Sequence, residues 1–304
     1  MNLVKPSPLK KGDTIHIVAS SSPFERAAFE EGVTLLENWG FKVAYNDNIF
    51  DKIPYLAGTD ERRAEELITA LECPNTKAIL FARGGYGAMR LLPLLDKNLK
   101  TPKAKIIIGY SDITCLLSYL YQRYQWMTFY GPVVSKDISN TMHEQTMASL
   151  QSHLTATNLE KTLTFNNAHS LYKGRATAPL TGGCLTLIVS LLGTSYEINT
   201  ENKILFIEDT NEKPYEIDRM LTHLKLAGKF DHCSGLIFGS LKGPNPDEHY
   251  IETIKGITKE YNIPILFNIP VGHSNPKLTL PLGATITLNT ENNTITFEES
   301  FYNE

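Results

Sequence analysis

The segment Ala104-Lys-Ile-Ile-Ile-Gly-Tyr-Ser111-Asp112-Ile-Thr-Cys-Leu-Leu joins an apolar run to a helical pattern through a tight turn. A serine stands at that turn. A hydroxyl placed there is lifted clear of the sheet, as a nucleophile requires. The helix that follows would aim its free N-terminal amides at the same point, so the Asp112 N–H is a candidate oxyanion donor. The common elbow of this kind reads Gly-x-Ser-x-Gly, and here Ile113 stands at the last glycine position. A competing reading makes Ser111-Asp112 a plain helix start with Asp112 as N-cap.

A serine nucleophile needs a base, and the base needs a carboxylate to orient it. The chain has eight histidines. His143, His153 and His169 lie in polar stretches, His223 in a helical pattern and His16 in a strand pattern. His273 differs. It follows Pro264-Ile-Leu-Phe-Asn-Ile-Pro-Val-Gly272 and leads into Ser274-Asn-Pro, a loop just past a strand from which a side chain can enter a cleft. For the acid, Glu208 and Asp209 close the run Ile204-Leu-Phe-Ile207, where the carboxyl edge of a sheet builds sites. Strand alternation puts the two on opposite faces, so only one can face His273. Arg83-Gly-Gly-Tyr-Gly87 follows another apolar run. Its glycines let backbone approach a ligand, and the amides of Gly84 or Gly85 could stabilise an anion. The loop lacks the Gly-Lys-Ser/Thr and Gly-x-Gly-x-x-Gly patterns of phosphate binders. In company with Ser111, an oxyanion contribution is the more economical reading.

The elements that must position these residues alternate. Strands are predicted at 14–19, 41–44, 78–81, 104–108 and 127–130, with helices at 24–39, from Thr59 onward and at 112–124. Such alternation predicts an open, largely parallel α/β sheet over residues 1–150. Residues 151–174 are polar without sustained period and read as a linker. Beyond it come a helix after a Gly182-Gly183 turn, strands at 203–207, 234–239 and 264–268, helices at 215–226 and 248–261, and a hairpin of 284–288 with 294–297. Residues 175–304 read as a second domain, carrying the acid and the histidine.

The 304 residues carry a net charge of −4, which gives no basic footprint for nucleic acid. No apolar run approaches the length of a membrane span, and the N-terminal segment has no signal-peptide core. Four separated cysteines, Cys73, Cys115, Cys184 and Cys233, read as free thiols of a reducing cytoplasm. No Cys/His spacing suggests a metal, and no cofactor is expected.

Taken together, Arg83-Gly-Gly-Tyr-Gly87, Gly109-Tyr-Ser-Asp112, Gly131-Pro132, Gly182-Gly183, Ile207-Glu-Asp209 with Tyr215-Glu-Ile-Asp-Arg219, and Gly272-His273 resemble the LD-carboxypeptidase family in type and order. That family includes peptidases of peptidoglycan recycling and of microcin C immunity. The resemblance spans nearly the whole chain. It implies a flavodoxin-like N-terminal domain, a smaller β-rich α+β C-terminal domain, and a triad of Ser111, His273 and Glu208. The implied function is a metal-free serine carboxypeptidase that removes the terminal D-alanine of murein tetrapeptide. Its partner would be a small peptide, and the expected assembly is a homodimer. Arg83 and Arg219 are the basic residues nearest these motifs and are candidates to read the substrate carboxylate. A microcin-type enzyme, which splits a peptidyl-nucleotide, would need an aromatic platform, for which Tyr196 is the candidate. A non-catalytic ligand-binding module is the alternative of another class. Two departures from the family pattern, Tyr130-Gly-Pro132 for His-Gly-Pro and Gly-Gly-Cys184 for Gly-Gly-Asn, bear on substrate detail rather than on the triad.

Overall fold

The computed structural model describes residues 3–100 and 103–303. The chain forms two compact units. One is Met1–Leu159 with Leu278–Leu280 and Phe301–Glu304, and the other is Glu160–Lys277 with Pro281–Ser300.

In the first unit, β1 (Thr14–Val18), α1 (Arg26–Asn38), β2 (Lys42–Ala44), α2 (Asp60–Glu72), β3 (Thr76–Phe81), α3 (Leu92–Asn98), β4 (Ile106–Gly109), α4 (Thr114–Tyr124) and β5 (Thr128–Tyr130) alternate, followed by α5 (Val134–Asp137) and α6 (Glu144–Thr155). The sheet order is β2-β1-β3-β4-β5, with the later strand β12 (Leu280–Leu282) at its edge. All four pairings from β2 to β5 are parallel. This is the flavodoxin-like order, and sites in such sheets form at the carboxyl ends of strands near the point where the order reverses. The reversal lies between β1 and β3. The loops after β1, β3 and β4 hold Ser20–Ser22, Arg83–Gly87 and Ser111 respectively. Ile106, Ile107 and Ile108 are fully buried, as a strand covered on both faces must be.

The second unit contains β6 (Thr162–Thr164), β7 (His169–Tyr172), β8 (Arg175–Cys184), α7 (Leu185–Ser190), β9 (Ile204–Thr210), α8 (Pro214–Leu226), β10 (Gly235–Lys242), α9 (Asp247–Thr258), β11 (Ile265–Phe267), β13 (Thr285–Asn289) and β14 (Thr294–Phe297). They build one sheet in the order β6-β14-β13-β8-β9-β10-β11-β7. The centre from β8 to β11 is parallel and the flanks are antiparallel. Leu205, Ile207, Leu236, Phe238, Ile265 and Phe267 pack with Ile217, Leu221, Leu224 and Ile254 from the helices. The α/β reading therefore holds, with a smaller, β-rich second unit.

Several elements differ from the sequence reading. The stretch 151–174, read as a linker, carries the end of α6 and the strands β6 and β7. β6 and β7 are the two edges of the second sheet, where polar residues are tolerated and the apolar pattern fades. Gly182 and Gly183 lie within β8 rather than in a turn. A Cβ on Gly182 would fall 1.8 Å from the Phe206 carbonyl oxygen, so the glycine admits close strand approach.

Helix α2 also buries charge. Thr59 caps it by accepting from the Arg62 N–H, and Asp60 and Glu61 occupy its first turn, where acids favour the helix dipole. Glu66, 3 % exposed, accepts from the Ala19 N–H at 2.9 Å and from Arg62 Nη1 at 3.0 Å. Burial outweighs these donors and raises its carboxyl from 4.5 to about 7. The folded state then binds this proton more tightly than the unfolded chain, so stability falls as pH rises between those two values. A shift of this size corresponds to roughly 3 kcal/mol. Glu66→Gln can still accept the Ala19 N–H but does not titrate. Urea unfolding at pH 5 and pH 8 should show the wild type losing stability relative to Glu66→Gln across that interval. Parallel behaviour of the two proteins would contradict the assignment.

Candidate active site

In the first unit, β4 ends at Gly109 and the chain turns through Ser111 with φ of +62°. That is left-handed backbone, uncommon for a residue with a side chain. One 3₁₀ turn, Ser111–Ile113, leads into α4. Ile113 needs no glycine here because the small residue lies on the strand side. A Cβ on Gly109 would meet Ile113 Cγ2 and Phe81 Cδ2, both at 2.8 Å. The Ser111 N–H donates to the Tyr130 hydroxyl at 3.0 Å, so this amide is occupied.

The glycine loop abuts the serine. A Cβ built on Gly84 would lie 3.3 Å from Ser111 Cβ and 3.6 Å from its Oγ. Ser22, which sequence reasoning missed, fixes the loop. It donates its N–H to the Gly84 carbonyl at 3.3 Å and accepts the Tyr86 N–H on its hydroxyl at 3.1 Å. The Gly84 and Gly85 amides have no acceptor among the described residues. Asp112 is not an N-cap, since it lies inside the 3₁₀ turn and the cap positions of that turn and of α4 fall to Tyr110 and Ile113. Its Oδ2 accepts from Ser21 Oγ at 2.6 Å and from the Ala88 N–H at 2.8 Å. The carboxyl is fully buried, and burial pushes its pKa up. Asp112 thus ties the elbow to the loops after β1 and β3. Arg83 is exposed and donates to the Pro23 carbonyl at 2.6 Å.

In the second unit, β9 presents Glu208 and Asp209 to opposite sides. Glu208 is fully buried. Its Oε2 accepts from His273 twice, from the backbone N–H at 2.9 Å and from Nδ1 at 2.8 Å. With Nδ1 donating, Nε2 carries the lone pair of the neutral ring. Gly272 makes this approach possible. Its φ is +87°, and a Cβ there would sit 2.2 Å from Glu208 Oε2. Asp209 turns the other way. Its Oδ2 accepts from the Thr186 N–H and hydroxyl, both at 2.8 Å, and its Oδ1 accepts from the Thr210 N–H at 2.8 Å. It therefore caps α7, and burial raises its carboxyl.

The comparisons with known proteins decide the family. The LD-carboxypeptidase N-terminal domain matches residues 15–131 and the LD-carboxypeptidase C-terminal domain matches residues 177–288. The chain belongs to the LD-carboxypeptidase family. A probable murein peptide carboxypeptidase of Bacillus subtilis is 34 % identical over 300 residues, covering 97 % of this chain and 94 % of the relative. The microcin C7 self-immunity protein MccF of Escherichia coli is 29 % identical, covering 97 % and 96 %. A solved structure of MccF in complex with glutamyl sulfamoyl guanosine superposes with a TM-score of 0.90 at 26 % identity, over 99 % of this chain and 100 % of that one.

Of the substrate-side candidates of this LD-carboxypeptidase family member, Arg83 belongs to the first unit and Tyr196 and Arg219 to the second. Arg219 lies exposed on α8 with Tyr215, Thr222 and Leu226 around a shallow hollow. Tyr196 is half-buried, and its N–H donates to Thr194 Oγ1 at 3.1 Å. His153, in a stretch that reads as polar, is buried on α6 between Phe129 and Phe301, and burial lowers it to about 4. No helix among the described residues is long and apolar enough to cross a membrane. Nor is any group of three or more His, Cys, Asp or Glu among them placed to hold a metal ion.

The two acids of β9 make separable predictions. Glu208→Gln removes the negative charge facing Nδ1 and can turn an amide donor toward it, which disfavours the Nδ1–H tautomer. Activity should fall by roughly 10³–10⁴ with the fold retained. Asp209→Asn should lose about 1 kcal/mol of stability through the weakened cap and keep near-parental kcat. Steady-state kinetics and thermal unfolding of both variants test this division, and equal activity losses would refute it.

Proposed function

We propose that this protein is a serine carboxypeptidase that hydrolyses an L,D peptide bond, releasing terminal D-alanine from murein tetrapeptide. The observation that carries the reading is the left-handed Ser111 at a strand–helix elbow, with Gly84 against its side chain. The His273–Glu208 pair supports it, as does the likeness to a probable murein peptide carboxypeptidase.

In this mechanism Ser111 Oγ attacks the scissile carbonyl and its proton passes to His273 Nε2. Glu208 holds the Nδ1–H tautomer and stabilises the imidazolium. The amides of Gly84 or Gly85 and of Asp112 bind the oxyanion, each donor typically worth about 10²–10³ in rate. Collapse expels the D-alanine amine, protonated by His273, and water then hydrolyses the acyl-enzyme by the same route in reverse. The D-alanine carboxylate must meet a cation or backbone donors, because burying it unpaired is costly. Arg83, Arg219 and Tyr196 are the candidates on the substrate side. The four free cysteines support action in the reducing cytoplasm.

A second reading, cleavage of a peptidyl-nucleotide, is favoured by the likeness to MccF along almost the whole chain. Product analysis by mass spectrometry separates the two. The purified protein should release D-alanine from the tetrapeptide. It should cut poorly the C-terminal amide, the analogue ending in L-alanine, the pentapeptide and a peptidyl-adenylate analogue. Ser111→Ala should fold normally and lose activity by about 10⁴–10⁶. Equal cleavage of amide and acid would end the carboxypeptidase assignment, and parental activity in Ser111→Ala would end the serine mechanism.

A further inference from the structure

Helix α2 sends a guanidinium beneath the glycine loop. Arg63 is fully buried. Its Nη2 pairs with Asp60, while its other donors reach backbone carbonyls in three separate loops. Nε donates to the Gly58 carbonyl at 3.2 Å, and Nη1 donates to the carbonyls of Ser20 and Gly87, the latter at 3.0 Å. Asp60 in turn is held by Arg90 through Nε at 2.8 Å and Nη2 at 2.7 Å.

The contact with Gly87 has a counterpart. The Gly87 carbonyl and the Ala88 N–H are the two ends of one peptide group. Arg63 takes the oxygen, and Asp112 takes the N–H at 2.8 Å. One peptide plane is therefore gripped from both edges by two buried side chains, a guanidinium on the oxygen and a carboxyl on the N–H. One comes from α2 and the other from the residue after Ser111. Gly87 fits this grip because it has φ of +131° and no side chain. A Cβ there would fall 2.7 Å from Arg63 Nη1 and 2.6 Å from Leu56 Cδ2.

We propose that Arg63 is a positioning residue, which by clamping the Gly87–Ala88 peptide against Asp112 fixes the direction of the loop amides that bind the oxyanion. The proposal rests on the serine-hydrolase reading above. A planar fork can satisfy several carbonyls at fixed angles, which an ammonium cannot. Solvent at this position would serve the same carbonyls without fixing the plane. Since preorganised donors act in the transition state, a loosened plane costs turnover rather than ground-state binding.

The test is the reaction of Ser111 with a fluorophosphonate, whose adduct has an oxyanion-like phosphoryl oxygen and which needs no knowledge of the substrate. Its kinact and KI are measured for the wild type, Arg63→Lys and Gly87→Ala, with circular dichroism to verify the fold. Arg63→Lys should lower kinact by about 10–100-fold, the scale of a misplacement near 1 Å, with KI within about twofold. Gly87→Ala disturbs the same clamp, since its Cβ would displace Arg63 Nη1, and should reproduce the loss if Arg63→Lys fails to fold. For Arg63→Ala, added methylguanidinium should restore part of kinact. Unchanged kinact in folded Arg63→Lys, whatever its thermal stability, would reduce Arg63 to a folding role and overturn the proposal. A wild type in which Ser111 is not labelled would instead bring down the serine-hydrolase reading itself.

Discussion

The first unit is organised around one backbone constraint, the left-handed conformation of Ser111. A non-glycine residue there costs on the order of 1–2 kcal/mol, and it persists only if its surroundings determine it. Those surroundings are visible on both sides of the serine. Its N–H is held by Tyr130, and the next residue sends a buried carboxylate to Ser21 and Ala88. The elbow, the loop after β1 and the loop after β3 are in effect one hydrogen-bonded body. Ile113 fills the space that Gly109 leaves open, which locks the start of α4 onto β4. The hydroxyl is thus aimed by groups that need not touch a substrate.

The second unit uses the same economy at the end of β9. Two adjacent acids, facing opposite ways, divide the labour. Glu208 spends one oxygen on two donors of His273, fixing both the loop backbone and the ring. Asp209 closes the N-terminus of α7. A buried carboxylate is tolerable only when its donors replace water, and each of these has them. The geometry also explains why Gly272 precedes the histidine, since any side chain there would displace the carboxylate oxygen.

Much of this was legible in the sequence for a physical reason. Buried parallel strands are apolar on both faces and stand out as short runs, so the strands that end at the site were readable. The opposition of Glu208 and Asp209 followed from strand alternation. What escaped was whatever depends on distant chain. β6 and β7 are polar because they are edge strands. The return of Leu278–Leu280 and Phe301–Tyr302 to the first unit has no local signature. Nor does the burial of Arg63 and Glu66. On a helical pattern they look like solvent-facing charges, while the Ser20 and Gly87 carbonyls that receive Arg63 and the Ala19 N–H that Glu66 accepts come from chain far away in sequence. Ser22 carries no signal of its own, because a serine that secures a neighbouring loop has the same local setting as one in any turn.

The two departures from the family pattern both lie beside residues singled out above. Tyr130 is fully buried and accepts the Ser111 N–H, so this position bears on how Ser111 is held. Cys184 is buried and pairs in register with Glu208 across the parallel β8–β9 ladder. Burial, and the nearby charges of Asp209 and Glu208, push its thiol well up, so it stays neutral beside the acids. Both side chains stand directly behind residues of the proposed mechanism, one behind the serine and one behind the acid. A change of residue at either position would therefore reach Ser111 or Glu208 through the groups packed against them.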